Sequence, residues 1–291
     1  MNTQIKLAII AIAIVIPLAS LAITQTNSPS NNSTNENSKL QVVASATFLY
    51  EFSQNIGKEM IDVTLLVPMG ADPHDWEPTI RDTERLQKAD MIIVNGIGYE
   101  HWLNSLELSD IAGILVDTSN GISTLDSANH DEEKHDDHAK EDGHDDEDNH
   151  NHGVLDPHIW LNPVFAQLQV KNIANALSNS DPTNKNYYQS NAAIYNQKLN
   201  LLDTKIRTEL SGCKTDFITF HDAFSYFSEE YGLTQHTIIS STDSHGDVTP
   251  KTLEHIISLA RELNIKVIFA EENTSTKTSQ VIADEIGGKV L

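Results

Sequence analysis

The chain contains few of the groups on which several common classes of protein depend. It has one cysteine, Cys213, so no intrachain disulfide can form, and we expect this residue to pack as a small hydrophobe rather than to act as a nucleophile. Basic side chains are also scarce: 19 lysine and arginine residues stand against 42 aspartate and glutamate residues, which gives a formal charge of −23. A charge of this sign argues against nucleic acid as a partner and favours the attraction of cations, although it is also typical of a soluble acidic surface.

Long apolar runs are absent except near the N-terminus. Residues 1–23 predict an export signal, because residues 7–23 are almost wholly apolar, follow Lys6 and contain the small-residue sequence Ser20-Leu21-Ala22. An uncleaved membrane anchor is the alternative, since the run has about 17 residues. No cysteine follows it, which argues against a lipid-modified N-terminus. Residues 24–39 are rich in Asn, Ser and Thr and predict a disordered tether. We therefore expect an exported protein, periplasmic or tethered to the outer face of the cytoplasmic membrane.

Strand-like and helix-like patterns alternate through the rest of the chain. Residues 40–163 predict an N-terminal α/β lobe, residues 164–210 predict linking helices, and residues 211–291 predict a C-terminal α/β lobe. The expected fold class is α/β, with a mostly parallel sheet flanked by helices in each lobe and a long rigid helix between them. Since ligands of open α/β sheets bind beyond the carboxyl ends of the strands, we expect a site in the cleft between the lobes. Residues 289–291 begin another strand, from which we expect the second lobe to be truncated.

One acidic stretch of the first lobe is rich in histidine. Residues 126–152 contain no apolar side chain larger than alanine, so they cannot bury a core and predict a mobile loop. Imidazole beside carboxylate is ligand chemistry for a divalent transition ion, with Zn²⁺ the first candidate. We expect this loop to bind further ions weakly, as a reservoir or sensor, and a solvated spacer is the alternative. Its histidines are His130, His135, His138, His144, His150 and His152.

Three other histidines follow the ends of predicted strands or stiff proline-containing segments. They are His74, His158 and His221. Any one of them alone is more typical of a capping or core residue, but three at equivalent places beside a metal-gathering loop indicate a metal site. A carboxylate adjoins each segment and could orient the imidazole rings, or could instead cap a helix, for which Asp222 is the strongest candidate. These carboxylates are Asp75, Asp156 and Asp222.

Several segments, in this order, make the chain similar to a known family. They are Pro73-His74-Asp75-Trp76-Glu77-Pro78, then Ala89-Asp90-Met91-Ile92-Ile93-Val94-Asn95-Gly96 with Glu100, then Asp156-Pro157-His158-Ile159-Trp160-Leu161, His221-Asp222-Ala223-Phe224-Ser225-Tyr226-Phe227 and Ile268-Phe269-Ala270-Glu271. The chain resembles the metal-specific solute-binding proteins of ABC importers, the ZnuA/TroA-like family, over residues 40–291. Each segment alone is weak, and the specificity lies in their number and order.

The resemblance implies a two-lobed protein that binds a metal ion between its lobes and delivers it to an ABC permease. It places the first three family ligands at His74, His158 and His221. The third position is usually Glu in manganese-type relatives and His in zinc-type relatives, so His221 indicates zinc, in agreement with the preference of imidazole for Zn²⁺ over Mn²⁺. Family members usually supply a carboxylate ligand shortly after the strand that begins here at Lys289, so the resemblance leaves the fourth ligand unassigned.

The leading hypothesis is therefore capture of Zn²⁺ outside the cell, by a monomer without enzymatic activity. Three alternatives remain open at this point: a zinc hydrolase with a three-histidine site, a protein that binds manganese or another divalent metal, and a surface adhesin with the same fold. A hydrolase would need a general base beside the metal-bound water. Glu77 or Glu272 could nominally serve, but no pattern around either marks it as a base.

Overall fold

The computed structural model describes residues 39–107, 111–125, 155–239, 248–270 and 276–291. The export signal, the tether up to residue 38 and all six histidines of the acidic loop lie outside these ranges, as does Glu272. Within them, none of the helices combines the length and the apolar character needed to cross a bilayer.

The first sheet contains four parallel strands in the order β2-β1-β3-β4. These strands are β1 (Leu40–Ala44), β2 (Ile61–Leu65), β3 (Met91–Val94) and β4 (Ile114–Asp117). All four residues of β3 are buried, as expected for a strand that is covered on both faces. Alternate residues enter different cores: Val42 packs in the cluster on one face and Val43 in the cluster on the other.

The second sheet repeats this order as β6-β5-β7-β8, again all parallel. Its strands are β5 (Asp216–Thr219), β6 (Thr234–Thr237), β7 (Val267–Phe269) and β8 (Lys289–Val290). In each sheet the strand order reverses beside the first strand, at β1 and at β5. A crevice opens at such a reversal, beyond the carboxyl ends of the strands, and it is the usual place for a ligand in this class of fold.

Seven α-helices accompany the strands within the described residues. They are α1 (Thr47–Gly57), α2 (Ile80–Lys88), α3 (Pro163–Ser180), α4 (Lys185–Leu210), α5 (Ser225–Tyr231), α6 (Pro250–Glu262) and α7 (Thr276–Ile286). Helix α2 begins at a capping box, in which Thr79 Oγ1 accepts from the N–H of Asp82 and the Asp82 carboxylate accepts from the N–H of Thr79. This cap ends the loop that carries His74.

The two linking helices belong in part to the first lobe. Val170, Ile173 and Leu177 of α3 and Tyr188 of α4 are fully buried in the same core as α1 and the first sheet. The far end of α4 extends to the second lobe, where Arg207 pairs with Glu230 and Asp203 accepts from the hydroxyl of Tyr231 at 3.0 Å. One continuous helix of 26 residues thus contacts both lobes, and this is consistent with the predicted stiff connector.

The predicted α/β architecture with two parallel sheets is confirmed. Element ends differ by a few residues from the sequence pattern. The sequence pattern of residues 100–106 predicts a helix, whereas the structure forms a short 3₁₀ helix at His101–Ser105. The pattern also predicts a helix that begins at Ala223, whereas this helix begins at Ser225. The expectation for Cys213 was wrong: its side chain is exposed, and its thiol lies 3.2 Å from the carbonyl oxygen of Glu209, because it follows the solvent-facing end of α4.

A buried polar network joins the carboxyl ends of the first sheet to the segment that carries His158. Glu100 is 5% exposed, and its carboxylate accepts from Ser45 Oγ at 2.6 Å and from the N–H groups of Asn95 at 2.7 Å and Gly96 at 3.0 Å. The side chain of Asn95 donates in turn to the carbonyl oxygen of Pro157 at 2.9 Å. Burial raises the pKa of Glu100 to about 7, against the effect of these hydrogen bonds.

The raised pKa of Glu100 predicts a pH-dependent contribution to stability. Between the ordinary pKa of 4.5 and about 7 the folded state holds more protons than the unfolded state, so this contribution is present below pH 4.5 and is lost as the pH rises through 7. We expect the unfolding free energy of wild type to fall by about 3 kcal/mol relative to that of Glu100→Gln between pH 4.5 and pH 8, because glutamine has no group that titrates. Urea denaturation at the two pH values measures this.

The absolute stability of the Gln variant should fall, because its amide offers one acceptor where the carboxylate offers two. The change with pH is therefore the readout. Glu84→Gln, at an exposed position of α2, is the control and should follow the wild-type pH dependence. A wild-type curve parallel to that of Glu100→Gln would contradict the raised pKa.

Candidate metal centre

The three predicted histidines meet at the carboxyl ends of the two sheets. His221 lies two residues beyond β5, at the point where the strand order of the second sheet reverses. His74 lies in the loop between β2 and α2, where its N–H donates to the Asp72 carboxylate at 2.9 Å. His158 lies between β4 and α3, directly before a short 3₁₀ helix. Each lobe thus brings histidine to the same place by the same topology.

The imidazoles are close enough to share one ion. One ligand nitrogen from each ring lies within 4.8 Å of the other two, and Nε2 of His158 is 3.4 Å from Nε2 of His221. Ligand atoms 2.0–2.1 Å from a tetrahedral zinc ion lie about 3.4 Å from one another. His158 and His221 are buried, and His74 is half-buried. Within the described residues, these three histidines are the one group of His, Cys, Asp and Glu side chains close enough to hold a metal ion.

The carboxylate of Asp156 holds the ring of His158 in one orientation. Its Oδ1 atom lies 2.7 Å from Nδ1 of His158 and also accepts from the N–H of His158 at 2.9 Å. A carboxylate at this place keeps the ring proton on Nδ1, which leaves Nε2 with a lone pair directed toward the other two histidines. Asp156 is fully buried, and its second oxygen has no hydrogen-bond partner among the described residues. A buried carboxylate of this kind favours a cation nearby.

Aromatic rings border the histidines on the side of the first lobe. Trp160 stacks on Phe48 with ring centroids 4.3 Å apart, and its own centroid is 5.2 Å from that of His158. Tyr99 is 5.6 Å from the ring of His74 and 5.1 Å from that of Trp160. Burial raises the pKa of Tyr99, so this phenol stays neutral. These rings contact the imidazoles of His74 and His158 on the side of the first lobe.

Sequence reasoning did not find this aromatic border. From its residue type alone Trp160 is expected to be a packing residue, and Phe48 and Tyr99 belong to no recognised motif. Their common feature is distance along the chain: Phe48 belongs to α1, Tyr99 follows β3, and Trp160 follows the histidine-rich loop. A pattern of local spacing cannot bring such residues together.

The two other carboxylates next to the histidines differ from Asp156. Asp75 is exposed. Asp222 is buried and accepts from Ser225 Oγ at 3.0 Å. It is not the N-cap of α5, because that position is Phe224, so the alternative of a helix cap at Asp222 was wrong.

The remaining described histidines lie outside the group. His101 and His255 are exposed. His236 pairs through Nε2 with Asp216 at 2.9 Å, and Asp216 begins β5 whereas His221 follows its carboxyl end. The predicted auxiliary ligands between residues 130 and 152 lie outside the described residues.

Residues 42–291 match the family described as "Zinc-uptake complex component A periplasmic", named ZnuA. The chain belongs to this family. The resemblance seen in the sequence is thereby confirmed, and the family is one of solute-binding proteins.

Relatives and a solved structure agree with this assignment. The chain is 42% identical to the high-affinity zinc uptake system protein ZnuA of Bacillus subtilis over 254 residues, which are 86% of this chain and 76% of the relative. It is 32% identical to the zinc-binding protein AdcA of Streptococcus pyogenes over 254 residues, which are 86% of this chain and 49% of AdcA. A crystal structure of a ZnuA aligns with a TM-score of 0.74 and 32% identity, covering 87% of this chain and 90% of that one.

The contacts of Asp156 and Asp216 predict opposite proton positions on two histidine rings. We expect His158 to carry its proton on Nδ1 and His236 on Nε2, because these atoms lie beside the two carboxylates. Nitrogen-15 NMR of the ring atoms in the metal-free protein measures both. Asp156→Asn should shift His158 toward a mixture of tautomers and leave His236 unchanged.

Asp216→Asn is the matched control, since it should alter His236 and leave His158 unchanged. A wild-type His158 protonated on Nε2 would show that Asp156 does not orient this ring for metal binding.

Proposed function

We propose that the protein captures Zn²⁺ outside the cytoplasm with His74, His158 and His221 and delivers it to an ABC-type permease in the membrane. One observation carries the proposal: a nitrogen of each imidazole lies within 4.8 Å of the other two, at the cleft of a zinc-uptake family member. The ion is cargo, and no bond of a substrate is broken. The B. subtilis relative is named for high-affinity zinc uptake, which supports the same cargo here.

The ligand set favours zinc over manganese. Three neutral nitrogens suit Zn²⁺, whereas Mn²⁺ is better held by carboxylate and water oxygens. Because imidazole binds a metal only in its neutral form, zinc affinity should fall at acidic pH. The formal charge of −23 also raises the local concentration of cations around the protein.

The same geometry supports binding better than hydrolysis. A zinc hydrolase needs a general base beside the metal-bound water. Two buried carboxylates adjoin the histidines: Asp156 binds the ring and the N–H of His158 through Oδ1, and Asp222 accepts from Ser225 Oγ at 3.0 Å. Glu77 is exposed, and no contact within the described residues marks any of the three as a general base. Membership of a solute-binding family points the same way, and the zinc-binding names of the two relatives favour zinc capture over a manganese carrier or an adhesin.

The histidines between residues 130 and 152 are proposed as weaker, auxiliary zinc ligands. Their loop leaves and rejoins the fold at one point, since the N–H of Asp156 donates to the carbonyl oxygen of Leu125 at 3.1 Å. We propose that these histidines load ions separately from His74, His158 and His221. An exported location follows from the family and the apolar N-terminal run, and we propose that the protein works as a monomer beside its permease.

Alanine substitution of each proposed ligand should weaken zinc binding strongly. Loss of an outer partner of a ligand typically costs 10–100-fold in affinity, so we expect loss of a ligand itself to cost at least about 100-fold. Zinc titration calorimetry on His74→Ala, His158→Ala and His221→Ala measures this. His255→Ala, at an exposed position of α6, is the matched control. Equal affinity in His221→Ala and wild type would exclude the proposed site.

Removal of the acidic loop should separate the two classes of site. A variant in which a Gly-Ser-Gly linker replaces residues 127–153 keeps Leu125 and Asp156, whose backbone hydrogen bond already joins the ends of the loop. We expect one tight zinc site per molecule to remain and the weaker sites to disappear in the same titration. Loss of the tight site in a folded loop-less protein would mean that the loop holds the principal zinc ligands.

A further inference from the structure

One buried hydroxyl group of the second lobe contacts the segment that carries His158. Tyr226 of α5 is 1% exposed. Its hydroxyl donates to the carbonyl oxygen of Asp156 at 2.7 Å and accepts from the N–H of Leu125 at 3.1 Å. Both its donor and its acceptor capacity are thereby used on the first lobe.

Asp156 links this hydroxyl to the ring of His158. Its backbone carbonyl binds Tyr226, and its side chain binds both the N–H and Nδ1 of His158. A displacement of the Asp156 backbone therefore moves the carboxylate that orients the imidazole. A single residue, Asp156, thus connects Tyr226 to His158, with one hydrogen bond to the hydroxyl of Tyr226 and one to the imidazole ring of His158.

The N-terminal end of the same helix also leads to His221. Ser225, the first residue of α5, donates to the Asp222 carboxylate at 3.0 Å, and the N–H of Ala223 donates to the carbonyl oxygen of His221 at 3.1 Å. One short helix thus contacts the segments of His158 and His221, whose Nε2 atoms lie 3.4 Å apart.

Additional contacts fix α5 against the first lobe and α4. The side-chain amide of Asn162 donates to the carbonyl oxygen of Tyr226 at 3.3 Å and to Glu230 at 3.2 Å. The ring of Phe165 packs edge-on against that of Tyr226, with centroids 5.5 Å apart. The ring of Tyr226 is therefore held without its hydroxyl, so the role of the hydroxyl can be tested separately.

We propose that Tyr226 is a positioning residue that sets the spacing of His158 and His221 before the ion arrives. Preorganised ligands bind more tightly because less ordering is required on binding, and they release the ion more slowly. The inference rests on the proposed zinc site. Under this proposal Tyr226 increases zinc affinity although it does not itself bind the ion.

Tyr226→Phe tests the proposal with the ring preserved. In this variant the N–H of Leu125 and the carbonyl oxygen of Asp156 lose the hydroxyl to which they are hydrogen-bonded inside the protein. The segment that carries His158 therefore becomes more mobile. We expect zinc affinity to fall about tenfold, the lower end of the loss seen when an outer partner of a metal ligand is removed, and zinc dissociation to accelerate by a similar factor. Competition with a fluorescent zinc chelator measures both, far below the melting temperature.

Tyr231→Phe is the matched control. It removes a hydroxyl from the same helix, and that hydroxyl also bonds outside the second lobe, to Asp203 of α4 at 3.0 Å, but it does not contact the segment of His158. We expect its zinc affinity and dissociation rate to equal those of wild type, whatever its loss of thermal stability. Amide hydrogen exchange of Leu125 in the metal-free protein should rise in Tyr226→Phe and not in Tyr231→Phe.

The outcomes separate this inference from the proposed function. If wild type binds zinc tightly and Tyr226→Phe binds it equally well, the positioning role is excluded and the site stands. If both phenylalanine variants weaken zinc binding alike, the effect comes from the contact between the lobes in general, and a specific role of the Tyr226 hydroxyl is excluded. If wild type itself binds zinc no better than His158→Ala, the proposed function fails.

Discussion

The buried carboxylate of Asp156 is the constraint on which the centre of this molecule depends. Its side chain orients the ring of His158, its N–H joins the ends of the histidine-rich loop, and its carbonyl oxygen receives the hydroxyl of Tyr226. Burying a carboxylate is costly unless its surroundings compensate. Here the compensation comes from the backbone and ring of His158, and a cation at the three imidazoles would add to it.

The fold accounts for why so few residues suffice to form the centre. Two parallel sheets with the same strand order turn their carboxyl ends toward one cleft, so the segments that follow these strand ends bring histidine from each lobe to the same place. The aromatic border of Phe48, Tyr99 and Trp160 packs against the imidazoles on the side of the first lobe. The hydrogen bonds of Glu100 and Asn95 hold Pro157 against the carboxyl ends of the first sheet. Rigid support of this kind would let the three proposed ligands hold an ion that, under the proposed function, the protein must later release.

Much of the architecture could be predicted because its causes are local. The apolar run of β3 indicates a strand covered on both faces, and the helical spacing of α3 and α4 follows from their own side chains. Element ends were less accurate: a proline or cap such as Thr79 marks a start well, whereas α5 begins two residues later than predicted without any side-chain cap. The exposure of Cys213 also depends on where α4 ends in space.

By itself the sequence determined the fold class, the family and the identity of the three histidines. Each of these follows from residue type and order. A metal site can be predicted from sequence when its ligands belong to recognisable short motifs. Only the tertiary structure decided which neighbouring carboxylate orients a ring, which aromatic side chains border the site, and that Tyr226 contacts Asp156 from 70 positions away. The physical reason is that hydrogen bonds and ring contacts act over a few ångströms, and chain folding alone sets which distant residues come that close.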